Sequence, residues 1–370
     1  MMRSVLRAAT CSAASLGVPL LLPWAAAGQV GPRYVPINPA AGSSAPAPVP
    51  ASPPAPAGRA AGVGPDNAGP AVLPAPPAPA PPAPGVTAAA RPSLADILAA
   101  APAAAWSAIP ADRLLVMTLA GGGRVTIALA PELAPVHVAN IVALAGARWW
   151  DGSAVTRVQD NYVVQWGGAA EGKPLPPGVV ARPPAEYDRP AAGLPFTPLP
   201  FADSYAPAIG LSGAFPIAAD GTAAWGAHCY GMVGVGRDNA PDTGDGTELY
   251  AIIGQAPRHL DRNLAVVGRV VEGMPLLSAR PRGPGALGFY TDPADRLGIV
   301  SVRLASDLPE GERPVIETLR PDSPSFAAWV RLRANRQDAF FVRPAGALDI
   351  CQALPPGRTG PAAPRATPPG

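Results

Sequence analysis

Charge is scarce in this sequence: 15% of its 370 residues are charged, and 28 basic against 26 acidic residues leave a formal net charge of +2. So neutral a chain offers no polyelectrolyte face for counterion-driven binding, and nucleic acid is not an expected partner. Histidine and cysteine are as rare, three of each. No spacing among His137, His228, His259, the acidic residues and the cysteines matches a metal site, so no metal or other cofactor is expected. The G-x-S-x-G elbow, a phosphate-binding glycine loop and a cysteine paired with a nearby histidine are all missing, which leaves hydrolase and nucleotide chemistry without support. Long apolar runs are lacking too. The run over residues 13–24 is broken by Gly17, Pro19 and Pro23 and is short for a membrane span.

What is abundant is proline, with 53 residues, and glycine, with 40. Such a composition implies one folded domain with long appendages in place of two packed domains. Residues 1–27 carry Arg3 and Arg7, then the apolar run, then Ala25-Ala26-Ala27, the order of a cleavable signal peptide. The mature chain is expected to begin at Gly28 and to be exported, either to a periplasm or out of the cell, with no stable membrane span after cleavage. The alternative, a retained anchor, is disfavoured by the interrupting prolines. Cys11 precedes the apolar run, where it is poorly placed for lipid attachment, and no twin-arginine signal is present. Cleavage leaves Cys229 and Cys351 as an even pair, for which a bridge and two separately buried thiols are both open. Residues 28–92 are expected to be a disordered, semi-stiff tether, dominated by Pro, Ala, Gly and Ser and favouring polyproline II.

The folded domain is expected over 93–305. Ser93 can cap a helix to about 101, and strands over 113–119 and 124–129 meet at Gly121-Gly122-Gly123. A helix opens at Pro135 and runs to about 147, with Val138, Ile141, Val142 and Ala145 as its apolar stripe. Short β-type runs recur at 154–158, 162–166, 232–235, 249–253, 264–271 and 298–304 without strand-helix alternation, so an antiparallel barrel with few helices is the expected architecture. The stretch over 169–227 is an insertion too long for an ordinary connection, either a lid or a partly ordered surface excursion. Tyr187, Tyr205 and Trp225 argue that it packs, and its prolines argue for irregular backbone. Beyond it, 306–370 forms an extension with one helix, capped by Ser323 before Pro324 and reaching to about 338, and a disordered end.

The chemistry concentrates in Asp151-Gly152-Ser153-Ala154-Val155-Thr156-Arg157-Val158, followed by Asn161-Tyr162-Val163-Val164-Gln165-Trp166-Gly167-Gly168. This pattern resembles the cyclophilin signature. Further segments agree in order and approximate spacing: Gly231 to Gly236, Thr247-Glu248-Leu249-Tyr250, and Leu260-Asp261 leading into Val267-Gly268-Arg269. Together they cover about 114–304. The resemblance implies a mainly β fold, a closed antiparallel eight-stranded barrel with two or three helices, and peptidyl-prolyl cis-trans isomerase activity on proline-containing polypeptides. It implies Arg157 and Gln165 as catalytic residues. It also implies a substrate groove of Tyr162, Val163, Gly236, Arg237, Glu248, Tyr250, His259, Leu260 and Leu264.

Rotation about a peptide bond loses amide resonance and crosses a barrier of about 18–20 kcal/mol, so such a groove needs no nucleophile. It needs groups that stabilise the twisted state: a fixed cation for the localising nitrogen lone pair, and a donor for the carbonyl. Four positions depart from the family pattern: Glu248 stands where a second glutamine is common, Tyr250 where a phenylalanine is, His259 where a tryptophan often sits, and Leu264 where a histidine is usual. An isomerase of exported polypeptides assisting folding in the cell envelope, acting as a monomer, is the expectation. The rival expectation is the same barrel as a weak or inactive proline-peptide-binding module, a holdase or an envelope scaffold. A third, weaker expectation is a wall-associated structural protein whose tether is the functional part.

Overall fold

Residues 92–167, 173–338 and 340–360 are described by a computed structural model of the chain. The expected signal peptide at 1–27, all but the last residue of the tether, Gly168 of the signature, the first residues of the insertion and the end of the chain from 361 lie outside the described residues.

Ser93 opens the first helix. Its hydroxyl accepts the Asp96 N–H at 3.1 Å while the Asp96 carboxylate accepts the Ser93 N–H at 2.7 Å, a reciprocal cap for α1 (Leu94–Ala100). A short strand β1 (Trp106–Ala108) leads to the hairpin of β2 (Leu114–Leu119) and β3 (Arg124–Leu129). Gly121 and Gly122 make that reversal at φ +91° and +90°, a region glycine enters without steric cost. Pro135, whose missing N–H has no intrahelical partner to lose there, begins α2 (Pro135–Gly146). Strands β4 (Val155–Val158) and β5 (Val163–Gly167) carry the signature.

The insertion is largely sheet. It forms β6 (Arg189–Pro190), β7 (Thr197–Pro198), β8 (Ala208–Ser212), β9 (Phe215–Ala219) and β10 (Ala223–Gly226), hydrogen-bonded in the order β6-β10-β9-β8-β7. After it come β11 (Met232–Val235), β12 (Glu248–Ile252), β13 (Val266–Glu272), the short helix α3 (Met274–Ser278) and β14 (Ile299–Leu304). The extension contributes β15 (Ile316–Leu319), α4 (Pro324–Ala334) and β16 (Gly357–Thr359). Four α-helices stand among the described residues. The one not expected from the sequence, α3, is a single turn behind Gly273 at φ +83°, too short to show a helical period.

Eight strands make one antiparallel sheet in the order β14-β2-β3-β13-β11-β12-β5-β4. Its edges approach each other: Gly152 N–H donates to Ile299 O at 3.0 Å, Ile299 N–H to Ser153 O at 2.7 Å and Val155 N–H to Leu297 O at 2.9 Å. A barrel results, nearly closed, as the resemblance implies.

Alternate residues of its strands enter two different cores. Leu115, Met117 and Leu119 of β2 pack with Val164, Trp166, Val233 and the α2 residues Ile141 and Leu144. Leu114 and Val116 point the other way and pack with Val163, Tyr250, Ile252 and Val266, and beyond them with Ile209, Ile217 and Trp225 of the insertion and Leu319, Phe326 and Trp329 of the extension. Burial on both faces explains why these strands read as continuous apolar runs instead of alternating ones.

Both appendages are fastened to the barrel. The Glu186 carboxylate accepts the N–H groups of Val136 and His137 at the start of α2, each at 3.0 Å, and meets the His137 ring at 2.7 Å. Asn140 of α2 exchanges 2.8 Å hydrogen bonds with the backbone of Val180. On β13 the Arg269 guanidinium donates to Ala214 O of the insertion and Pro355 O of the extension, both at 3.2 Å. Cys229 and Cys351 are bridged, across a sequence separation of 122, which settles the open pairing.

In the extension β15 lies between β1 and β16, and α4 packs against α1. The Ser323 hydroxyl accepts the Phe326 N–H at 3.1 Å, and Phe326, Trp329 and Val330 form the buried face of α4. The helix ends at Ala334, short of the expected 338. Replacing Ser323 with alanine should lower stability by about 1 kcal/mol, seen as a lower urea midpoint at unchanged slope; an unmoved midpoint would mean that packing alone holds α4.

Candidate functional site

Sheet register brings the chemistry together. Arg157 on β4 lies opposite Gln165 on β5, Gln165 opposite Tyr250 on β12, and Tyr250 opposite Gly234 on β11. These four therefore form one row across four neighbouring strands. Val163 and Glu248 stand two residues from Gln165 and Tyr250 and so share their face.

The Arg157 side chain is 3% exposed. Its Nε donates to Leu287 O at 2.7 Å, its Nη1 to Gln165 Oε1 at 2.9 Å, and its Nη2 to Gln159 Oε1. The rings of Phe289 and Tyr162 lie 5.3 Å and 5.8 Å from the guanidinium carbon. A cation so gripped cannot rotate away, and aromatic faces compensate part of its lost hydration. Since a guanidinium only donates, it fixes the Gln165 amide with oxygen toward Arg157 and nitrogen toward Glu248. The Gln165 Nε2 does donate to Glu248 Oε1. Burial raises the Glu248 carboxyl above the usual carboxylate range; the Gln165 hydrogen bond and the Arg157 charge offset this only in part, and Asp238 and Asp245 add to it.

Tyr250 is buried, and its hydroxyl meets His228 Nε2 at 3.0 Å. Gly234 makes this possible, because a Cβ there would lie 2.2 Å from the Tyr250 hydroxyl oxygen. His228 Nδ1 lies 3.0 Å from Asp261 Oδ1, Arg258 Nε donates to Asp261 Oδ2 at 2.6 Å, and Arg258 also grips Asp203 at 2.9 and 3.1 Å. Asp261 only accepts, so His228 Nδ1 carries the proton, and in the neutral ring Nε2 accepts from the Tyr250 hydroxyl.

Burial acts to raise the Asp261 carboxyl, but His228 and Arg258 outweigh it and hold it below the usual range. A carboxyl lowered on folding adds stability that is complete above about pH 4 and fades as acid takes the pH through the lower folded value. The stability gap between wild type and Asp261→Asn should thus be widest at neutral pH and shrink in acid. Urea midpoints measured through that range test it, and a gap independent of pH would remove this ion network as the cause.

The other expected groove residues surround this row. Tyr162 is half-buried and lies parallel to the exposed ring of His259, with centroids 6.2 Å apart. Leu260 is buried and Leu264 half-buried in the core cluster that holds Val163 and Tyr250. Gly236 donates its N–H to Glu248 O at 2.9 Å, so an incoming peptide would have to pair with other groups of this segment. Arg237 turns its side chain onto Asn263 O at 3.1 and 2.9 Å, over the Tyr187 ring of the insertion. Sequence reasoning did not find Gln159, Leu287, Phe289, His228 or Asp261 as parts of the site. Gln159 is a local neighbour, two residues from Arg157, whereas only tertiary contact joins the other four to the site; for Leu287 and Phe289 the one available signal was the glycine-rich segment 283–288.

Among the described residues no group of three or more His, Cys, Asp or Glu could hold a metal ion, and no helix is long and apolar enough to cross a membrane.

Residues 114–299, half of the chain, match the family model described as cyclophilin type peptidyl-prolyl cis-trans isomerase/CLD. No curated protein matches the chain. Among solved structures, a cyclophilin from Hirschia baltica is 22% identical and superposes with a TM-score of 0.55, covering 73% of this chain and 98% of its own. A cyclophilin type peptidyl-prolyl cis-trans isomerase from Cryptosporidium parvum, crystallised in the presence of the dipeptide Ala-Pro, is 11% identical over 52% of this chain and 98% of its own, at a TM-score of 0.33. Barrel topology and family match agree: this chain belongs to the cyclophilin-type peptidyl-prolyl cis-trans isomerases.

Proposed function

We propose that the row of Arg157, Gln165 and Tyr250 is the catalytic groove and that it turns X-Pro bonds of exported polypeptides, assisting their folding in the cell envelope. The observation that carries this reading is the Arg157 guanidinium held by Gln165 and flanked by the Tyr162 ring. Arg157 stabilises the prolyl nitrogen as its lone pair localises in the twisted state, and Gln165 holds the substrate carbonyl. Tyr162, Val163, Tyr250, Leu260 and Leu264 form the slot for the proline ring, with His259 at its rim. The segment of Gly236 and Arg237 receives the extended peptide, and Glu248 borders it.

Turnover of a proline tetrapeptide, followed by NMR exchange, tests the activity; a rate at the uncatalysed background would overturn it. Export rests on residues 1–27, and sequencing the N-terminus of the protein recovered from the envelope tests it, with Gly28 as the expected first residue. A monomer is expected on size-exclusion chromatography. The reading as a binding module without turnover draws on one observation, the Glu248 carboxyl seated on the Gln165 amide. Peptide binding without rate enhancement would favour it.

A further inference from the structure

We propose that Glu248 is a positioning residue that competes with the substrate carbonyl for the Gln165 amide, so that the groove works best when Glu248 is neutral. The inference rests on the reading of the groove given above. Because Arg157 takes the Gln165 oxygen, the amide nitrogen is the part of Gln165 that can hold a carbonyl, and one of its two hydrogens already goes to Glu248. A carboxylate is a stronger acceptor than a peptide carbonyl. Its charge also repels the oxygen a substrate would bring to the same amide.

The packing favours this seat. The Glu248 stem lies against Gly236, where a Cβ would come within 3.2 Å of Glu248 Cγ and 3.3 Å of Cδ. A side chain at 236 would make Glu248 give by a few tenths of an ångström. The charged groups that act on the carboxyl are Arg157, which favours the anion, and Asp238 and Asp245, which oppose it. Burial disfavours the anion as well, so the carboxyl takes up a proton at higher pH than an exposed glutamate. Protonation removes the competing charge without moving the backbone.

The test compares wild type with Glu248→Gln on a proline tetrapeptide, reading both binding and turnover by NMR from about pH 8 down to about pH 5, approaching the ordinary glutamate range from above. NMR exchange avoids a coupling protease with a pH dependence of its own. At neutral pH the variant should bind the peptide about three to ten times more tightly than wild type, the range of one net hydrogen bond, mainly through a lower KM. Wild-type affinity should climb toward that of the variant as pH falls, while the variant stays flat. Equal affinities with parallel pH profiles would overturn the inference and leave the isomerase reading intact. Tighter, pH-independent binding by the variant without turnover in either protein would uphold the competition and overturn the isomerase reading. No binding by either protein would overturn both.

Discussion

Arg157→Ala should lower kcat/KM on a proline tetrapeptide by about a hundredfold to a thousandfold, the range for removing one preorganised donor to charge that develops in a transition state. The effect should fall mainly on kcat, because the guanidinium matters most once the nitrogen lone pair has localised. Arg157→Lys keeps the charge but not the fork that spans Leu287 O, Gln159 and Gln165, so it should recover only a small part of the rate. Arg157→Ala also leaves these acceptors without their donor, and Arg157→Lys cannot reach all three, at a cost of about 1–3 kcal/mol for a buried group. Circular dichroism melts run beside the NMR exchange assay separate this loss from catalysis: a folded Arg157→Ala protein as fast as wild type would dismiss Arg157 from the reaction.

Cys229→Ser combined with Cys351→Ser is expected to cost about 2–5 kcal/mol of stability, because the bridge closes a loop of long sequence separation, 122 residues, in the unfolded chain. It joins the buried Cys229, directly after His228, to the extension, and so holds the sheet of β1, β15 and β16 together with α4 against the barrel. Denaturant unfolding of oxidised wild type against the double variant measures the cost. Thiol counting on unreduced, unfolded protein should find neither of these two cysteines free; two free thiols would refute the bridge.

The barrel was legible in the sequence because its strands are short, apolar and separated by glycine and proline. The positions of β3 and β11 agree with the expected runs, and those of β2, β4, β5, β12, β13 and β14 differ by a residue or two at their ends. The helix at Pro135 could be read from its opening proline and its apolar stripe. The inserted sheet could not. Strands of two residues such as β6 and β7, and proline-bearing ones such as β9, carry no period of their own and become strands only by pairing with neighbours.

In the site, Arg157, Gln165, Tyr162 and Tyr250 were named by the resemblance, which rests on the order of the motifs; strand alternation and a short turn hold only the first three in a fixed local relation. The order of the motifs carried the resemblance to the family, and the short turn between β4 and β5 set Arg157 opposite Gln165 locally; only the folded sheet adds Tyr250 of β12 to that row, across the whole insertion. Tertiary structure alone decided which way the Gln165 amide points, that His228 and Asp261 stand behind Tyr250, and that Cys229 meets Cys351. Those contacts join segments distant in the chain, and donor direction, burial and charge balance exist only once the segments have met.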